Sequence, residues 1–366
     1  MPSSSSSIVN LVVGTNAFNP SAPTNCLYAG PFDIARGRFG QFSRVECSGN
    51  PGFLCRAAEH LYAADESQEG NVRLVEHRRD GSIFVSPTSF PTGDMSCHVS
   101  YGEIKLNGLC CIVSTCNYTS GTVRVHRVVK DKKHELENLF DIDHNASLYG
   151  AMRIAEDLHD RQESAHPHCS FVVEGRYLVV VDLGCSCVAS YDLLGKHGVP
   201  RQCPEPTSVF SPGPSHGCRH AIVVDGDMYI VNECTASLTH CKFAAGEFTL
   251  IETLSLLEEG EEPTRQHHRG AGGIAVDEKG CYIYVTLRHS TPGKLVALAR
   301  GEGGRVKVKK RVDCGGDVPR AITTVDEHVY VANRDNVCCF SGNGNLELLD
   351  VKGGFDEMIA FIDKLC

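Results

Sequence analysis

Residues 161–182 read RQESAHPHCSFVVEGRYLVVVD: a polar residue, His168, leads into an apolar run, the turn Glu174-Gly175-Arg176, a second apolar run, and a closing polar residue, Asp182. The same design returns about every 50 residues. Arg219 leads to Glu233 across Asp225-Gly226-Asp227, Gly273 to Arg288 across Lys279-Gly280, and Arg320 to Arg334 across Asp326-Glu327. Two apolar runs on either side of an Asp/Gly turn form a β-hairpin that starts and finishes at the same end, so each polar pair shares one rim. A period near 50 residues with strands as the regular element is the signature of propeller blades rather than of helical arrays.

Weaker copies lie upstream. Asn50–Leu54 leads to Leu61–Glu66, and His98-Val99-Ser100 to Ile112–Asn117. These make six hairpins. The opening run Ile8–Thr15, with Asn336–Phe340 and Leu346–Val351 at the far end, predicts a seventh blade completed from both termini, which would leave no open sheet edge. The expected fold is all-β: one seven-bladed β-propeller domain over residues 1–366, with roughly 52 residues per blade. A charged connection at about 130–165, including the helix-like SLYGAMRIAEDLHD of 147–160, reads as a surface insertion near the mouth. The polar loop at 258–270, with His267, His268 and Arg269, reads as solvated.

Composition narrows the setting. Hydrophobic residues make up 42% and glycines number 36, which suits many short strands joined by turns. The net charge of −10, with no Lys/Arg stripe carrying interleaved aromatics, argues against nucleic acid and anionic membrane as partners. An anionic substrate must then be held by local arginines. No run approaches the roughly 20 apolar residues of a membrane helix, and no leader-like charged-then-apolar pattern opens the chain, so a cytoplasmic protein is expected. The 19 cysteines, an odd number with adjacent pairs inside apolar runs, read as buried reduced thiols. Cys169, Cys185 and Cys187 near His166 and His168 lack CxxC or matched histidine spacing, and no metal or organic cofactor is expected.

These residues resemble the seven-bladed lactonase propellers, which include propeller-type 6-phosphogluconolactonase and carboxymuconate-lactonising enzyme. The resemblance covers nearly the whole chain. It rests on RQESAHPH with VVVDLGCSCV, on GCRHAIVVDGDMYIVNE, on HVS…NYTSGTV, on YVTLR and on VPRAITTVDEHVYVANR. It implies a site at the mouth of the central channel with His168, Arg219, Glu233 and Arg288 as catalytic residues, and His98, Asn117, Asp182 and Arg320 as substrate contacts. Arg320 and Asn333 recur in the family pattern either as contacts or as residues that hold blade to blade.

Lactone hydrolysis needs a base for water, donors for the oxyanion and a clamp for an anionic tail. Glu233 and His168 are the candidate bases, with Glu233 preferred and His168 as donor; Arg219 and Arg288 suit a carboxylate, a phosphate or the oxyanion. Three departures from the family stand out: Leu287 before Arg288, Cys218 in place of proline before Arg219, and Gly273 at a usually acidic position. The expected function is hydrolysis of a small anionic sugar-acid lactone, resembling 6-phosphogluconolactonase; the sequence leaves the oligomeric state open, with a monomer favoured. A carboxymuconate cycloisomerase and a non-catalytic binding scaffold are the alternatives.

Overall fold

The computed structural model describes residues 8–16, 25–57, 60–78, 80–105, 109–129, 135–151, 161–194, 205–263 and 270–365. Seven antiparallel sheets form the blades. Blade 1 runs from its inner to its outer edge through Pro51–Ala57, His60–Asp65, Asn71–His77 and Ile83–Pro91. Blades 2 to 6 repeat this order, beginning with the inner strands Ser96–Lys105, Pro167–Val173, Cys218–Val224, Ala271–Val276 and Ala321–Val325. Successive inner strands touch around the whole circle, including the C-terminal Ile359–Lys364 against Pro51–Ala57, so the ring is closed.

Blade 7 is completed from both termini, but by a different segment from the one expected. Its inner strand is Ile359–Lys364, paired with Ile8–Thr15, which pairs in turn with Asn25–Asp33. The segments read at the far end, Val337–Ser341 and Leu348–Lys352, are instead the outer two strands of blade 6. The insertion is corrected as well. Glu135–Asp143 is the outer strand of blade 2, and it runs into the short helix His144–Ser147 and a 3-10 turn at Tyr149–Ala151. The rest of the helix-like stretch, 152–160, and His267, His268 and Arg269 lie outside the described residues.

The second strands YLVVVD of blade 3 and DMYIVN of blade 4 are buried at every position. That explains their unbroken apolar runs, because each blade is covered on both faces by its neighbours. The core is accordingly divided into seven clusters, one at each blade-to-blade interface. The turn residues Glu174-Gly175 and Asp225-Gly226 all have positive φ, the backbone that a tight hairpin with native twist requires.

Candidate active site

Each blade offers two rim positions. The first, in blades 1 to 4, is a bulge near the start of the inner strand. Pro167 pairs with Asp182 and Cys169 with Val181, which leaves His168 as the extra residue; Cys218 pairs with Asn232 and His220 with Val231, which leaves Arg219. Gly52 and Cys97 hold the same place in blades 1 and 2. A bulge re-aims its extra side chain, here toward the channel mouth. The second position is the first residue beyond the second strand. Its N–H closes the hairpin end: Glu66 donates to Asn50 O, Glu233 to Gly217 O and Arg288 to Gly270 O, at 2.8, 2.8 and 2.6 Å.

These positions surround a cavity of about 460 Å³. Five arginines line it (Arg161, Arg219, Arg288, Arg320 and Arg334) against two glutamates, Glu66 and Glu233, with His168, Tyr118 and Cys97 between them. Glu233 is fully buried. Its Oε1 pairs with Arg161, and its Oε2 lies 2.9 Å from Arg219 Nε and 2.6 Å from Arg288 Nη2. Burial pushes this carboxyl up, but the three guanidiniums outweigh burial and hold it far below the carboxylate range. Burial, with Arg288 beside it, brings Arg219 down to about 9, so it remains a cation at neutral pH.

Arg219 Nη1 lies 2.8 Å from His168 Nε2 and 3.2 Å from His220 Nε2. A guanidinium only donates, so the facing imidazole nitrogens accept and the rings are neutral. Burial first, then Arg219, keeps both histidines well below their ordinary value. Arg161 donates to Tyr118 Oη at 2.8 Å and lies over that ring, while His166 stacks on Tyr118 at 4.1 Å. Across the mouth, Arg320 and the Asn16 amide hold Glu66. Arg334 is exposed and makes no ion pair among the described residues.

The family description "lactonase, 7-bladed beta-propeller" matches residues 10–350. The chain belongs to this lactonase family. A Bacteroides fragilis protein provisionally assigned as a 6-phosphogluconolactonase is 19% identical at a TM-score of 0.79, over 100% of this chain and 99% of its own. The Pseudomonas aeruginosa periplasmic gluconolactonase is 21% identical at 0.78, over 98% and 99%. At such identities the likeness shows the fold. No curated protein matches the chain.

Of the residues expected in the lactonase site, His168, Arg219, Glu233, Arg288 and Arg320 come together around the cavity. Asn117 and Asp182 do not face it: each ends its second strand one residue before the rim position and braces the corner. Asp182 Oδ1 accepts the N–H groups of His166 and Cys185 at 2.9 and 2.8 Å, and its Oδ2 lies 2.7 Å from His144 Nδ1. Asn117 accepts from Ser96 Oγ at 2.7 Å and donates to Thr122 Oγ1 at 3.0 Å. Asn333 likewise holds a corner, donating to Cys314 O at 3.1 Å and Asn336 Oδ1 at 2.8 Å. His98 does not line the cavity either; its ring packs 4.3 Å from that of Phe53 and 5.9 Å from that of His220.

The cavity is also lined by residues not expected in the site, among them Glu66, Tyr118, Arg161 and Arg334, of which Glu66 and Arg334 are placed by sequence only as hairpin ends. Arg161 was within reach, since it heads the RQESAHPH run that marks the site. The acid missing at position 273 has a packing reason, because a Cβ on Gly273 would come within 3.0 Å of Ile322 Cγ2 in blade 6. Cys185 and Cys187 belong to the interface core between blades 2 and 3, and among the described residues no three His, Cys, Asp or Glu side chains converge as metal ligands would. The preference for Glu233 as base also gives way. A carboxylate locked by three cations is a poor proton acceptor, and its placement suits it to align Arg161, Arg219 and Arg288.

Proposed function

We propose that this lactonase hydrolyses an anionic sugar-acid lactone of the 6-phosphogluconolactone type, by water attack at the channel mouth. One observation carries the reading: in a chain of net charge −10, the cavity concentrates five arginines against two glutamates, a surplus of three positive charges. Such a pocket favours a substrate that brings negative charge and a transition state that develops more. Arg219 and Arg288, fixed by Glu233, present rigid donors for the oxyanion. Arg320 and the exposed Arg334 suit a phosphate or carboxylate tail.

The test compares kcat/KM, above spontaneous hydrolysis, for 6-phosphogluconolactone and for uncharged δ-gluconolactone. A preference of about tenfold or more for the phosphorylated lactone is expected, the worth of one charge-assisted contact of about 1.4 kcal/mol. Equal rates would remove the anionic-substrate reading. We also propose a cytoplasmic setting, supported by the described cysteines, all of which are free thiols. Cell fractionation tests it.

A further inference from the structure

The chain carries a second rim glutamate in a place equivalent to that of Glu233. AADE at 63–66 and IVNE at 230–233 end the second strands of blades 1 and 4, and both glutamates donate their N–H across the hairpin end at 2.8 Å. Blades 1 and 4 stand three places apart in a ring of seven, so the two carboxylates line the cavity from opposite sides.

Their surroundings differ. Glu233 is held by three guanidiniums; Glu66 by one, from Arg320, and by the neutral amide of Asn16. A carboxylate has about four lone-pair sites, so Glu66 keeps room for a water on its cavity side. The bulge position of blade 1 makes that placement possible. Where blades 3 and 4 carry His168 and Arg219, blade 1 has Gly52, and a Cβ there would fall 2.5 Å from Glu66 Cδ and 2.7 Å from its Oε2. The glycine vacates the space that the carboxylate occupies.

We infer that Glu66, rather than Glu233, is the carboxylate that takes the proton from the attacking water. The inference rests on the lactone-hydrolysis reading above. Water oxygen bonds to the lactone carbonyl carbon, its proton passes to Glu66, and the carbonyl π pair moves onto the oxyanion facing the arginines. Collapse of the tetrahedral intermediate breaks the bond from carbonyl carbon to ring oxygen. The departing alkoxide takes the proton back from Glu66, and the new carboxylic acid ionises to solvent.

The experiment measures hydrolysis of 6-phosphogluconolactone and δ-gluconolactone by the parent chain and by Glu66→Gln, with calorimetric binding of 6-phosphogluconate to both. The expected result is a fall in kcat of about 10²- to 10⁴-fold. Product binding should be unchanged or tighter, because the cavity loses one of its two negative charges. Added formate should restore part of the rate in Glu66→Gly. Should Glu66→Gln fail to fold, Gly52→Ala keeps the charge, displaces the carboxylate and is expected to lower kcat in the same sense.

A kcat within about threefold of the parent overturns the inference, as does a parallel loss of rate and product binding, which would make Glu66 an anchor for Arg320 alone. If the parent accelerates neither lactone, the function reading fails and the role of Glu66 falls with it.

Discussion

Replacing Glu233 with glutamine removes the one negative charge shared by Arg161, Arg219 and Arg288 while keeping the side-chain volume. At an effective dielectric of about 20, each carboxylate–guanidinium pair is worth about 4 kcal/mol at about 4 Å between charge centres. Most of that gross attraction offsets burial and the mutual repulsion of the arginines. Stripping the partner from a buried ion pair destabilises by about 3–5 kcal/mol net. Unfolding entropy of about 2.1 cal/mol/K per residue gives roughly 0.8 kcal/mol/K for 366 residues, so Glu233→Gln should melt about 4–6 °C below the parent at pH 7. Differential scanning calorimetry reads this directly. The pH dependence has a definite sign: the folded carboxyl lies below its unfolded value, so its stabilisation is complete above about pH 4.5 and fades as the pH falls toward the folded value. The melting gap should therefore persist from pH 8 to 5 and close only in stronger acid. A variant that loses activity yet melts within 1 °C of the parent would refute the clamp role and return Glu233 to the position of base.

Other outcomes follow from the same geometry. Arg334→Ala should raise KM for 6-phosphogluconolactone about tenfold and leave that for δ-gluconolactone within about twofold, since the side chain stands exposed at the rim; an equal rise for both would exclude a charge-reading role. Burial, reinforced by Arg219, brings His98 down to about 3, whereas in the unfolded chain it takes up a proton near pH 6.5. Stability should therefore drop as the pH falls below about 6.5, with His98 contributing about 1.4 kcal/mol per pH unit. Urea unfolding between pH 7.5 and 5 should show a slope one proton smaller in His98→Gln, and identical slopes would contradict a neutral buried ring. Asp182→Ala strips the acceptor from two backbone N–H groups and from His144 in a fully buried corner. A loss of about 3–5 kcal/mol by urea titration is expected, and a loss below about 1 kcal/mol would show that the corner is not braced there.

The blades were legible because each central hairpin is a short apolar run, a turn rich in Asp and Gly, and a second apolar run, with both strands shielded by neighbouring blades. Outer strands carry no such mark. Glu135–Asp143 alternates exposed charge with buried Leu136, Phe140 and Ile142, and so reads as a polar excursion. The closing strand Ile359–Lys364 is short, and only its pairing with Ile8–Thr15 reveals its place. In the site, a single residue separates function from scaffolding: Asn117 braces a corner while the next residue, Tyr118, faces the cavity. The bulges that turn out His168 and Arg219 were anticipated only as hairpin starts, since spacing does not show which residue is extra. Glu233 was read as a base because its third cation, Arg161, reaches it from 72 residues upstream, a contact that only the closed ring creates.

The central claim, that this cavity opens lactones, is tested most directly by the rate of 6-phosphogluconolactone hydrolysis above the spontaneous background for the parent chain and for Arg288→Ala. Clear acceleration by the parent, reduced about 10²-fold or more in the variant through loss of an oxyanion donor, is the expected result. No acceleration by the parent, or full acceleration by the variant, would contradict it.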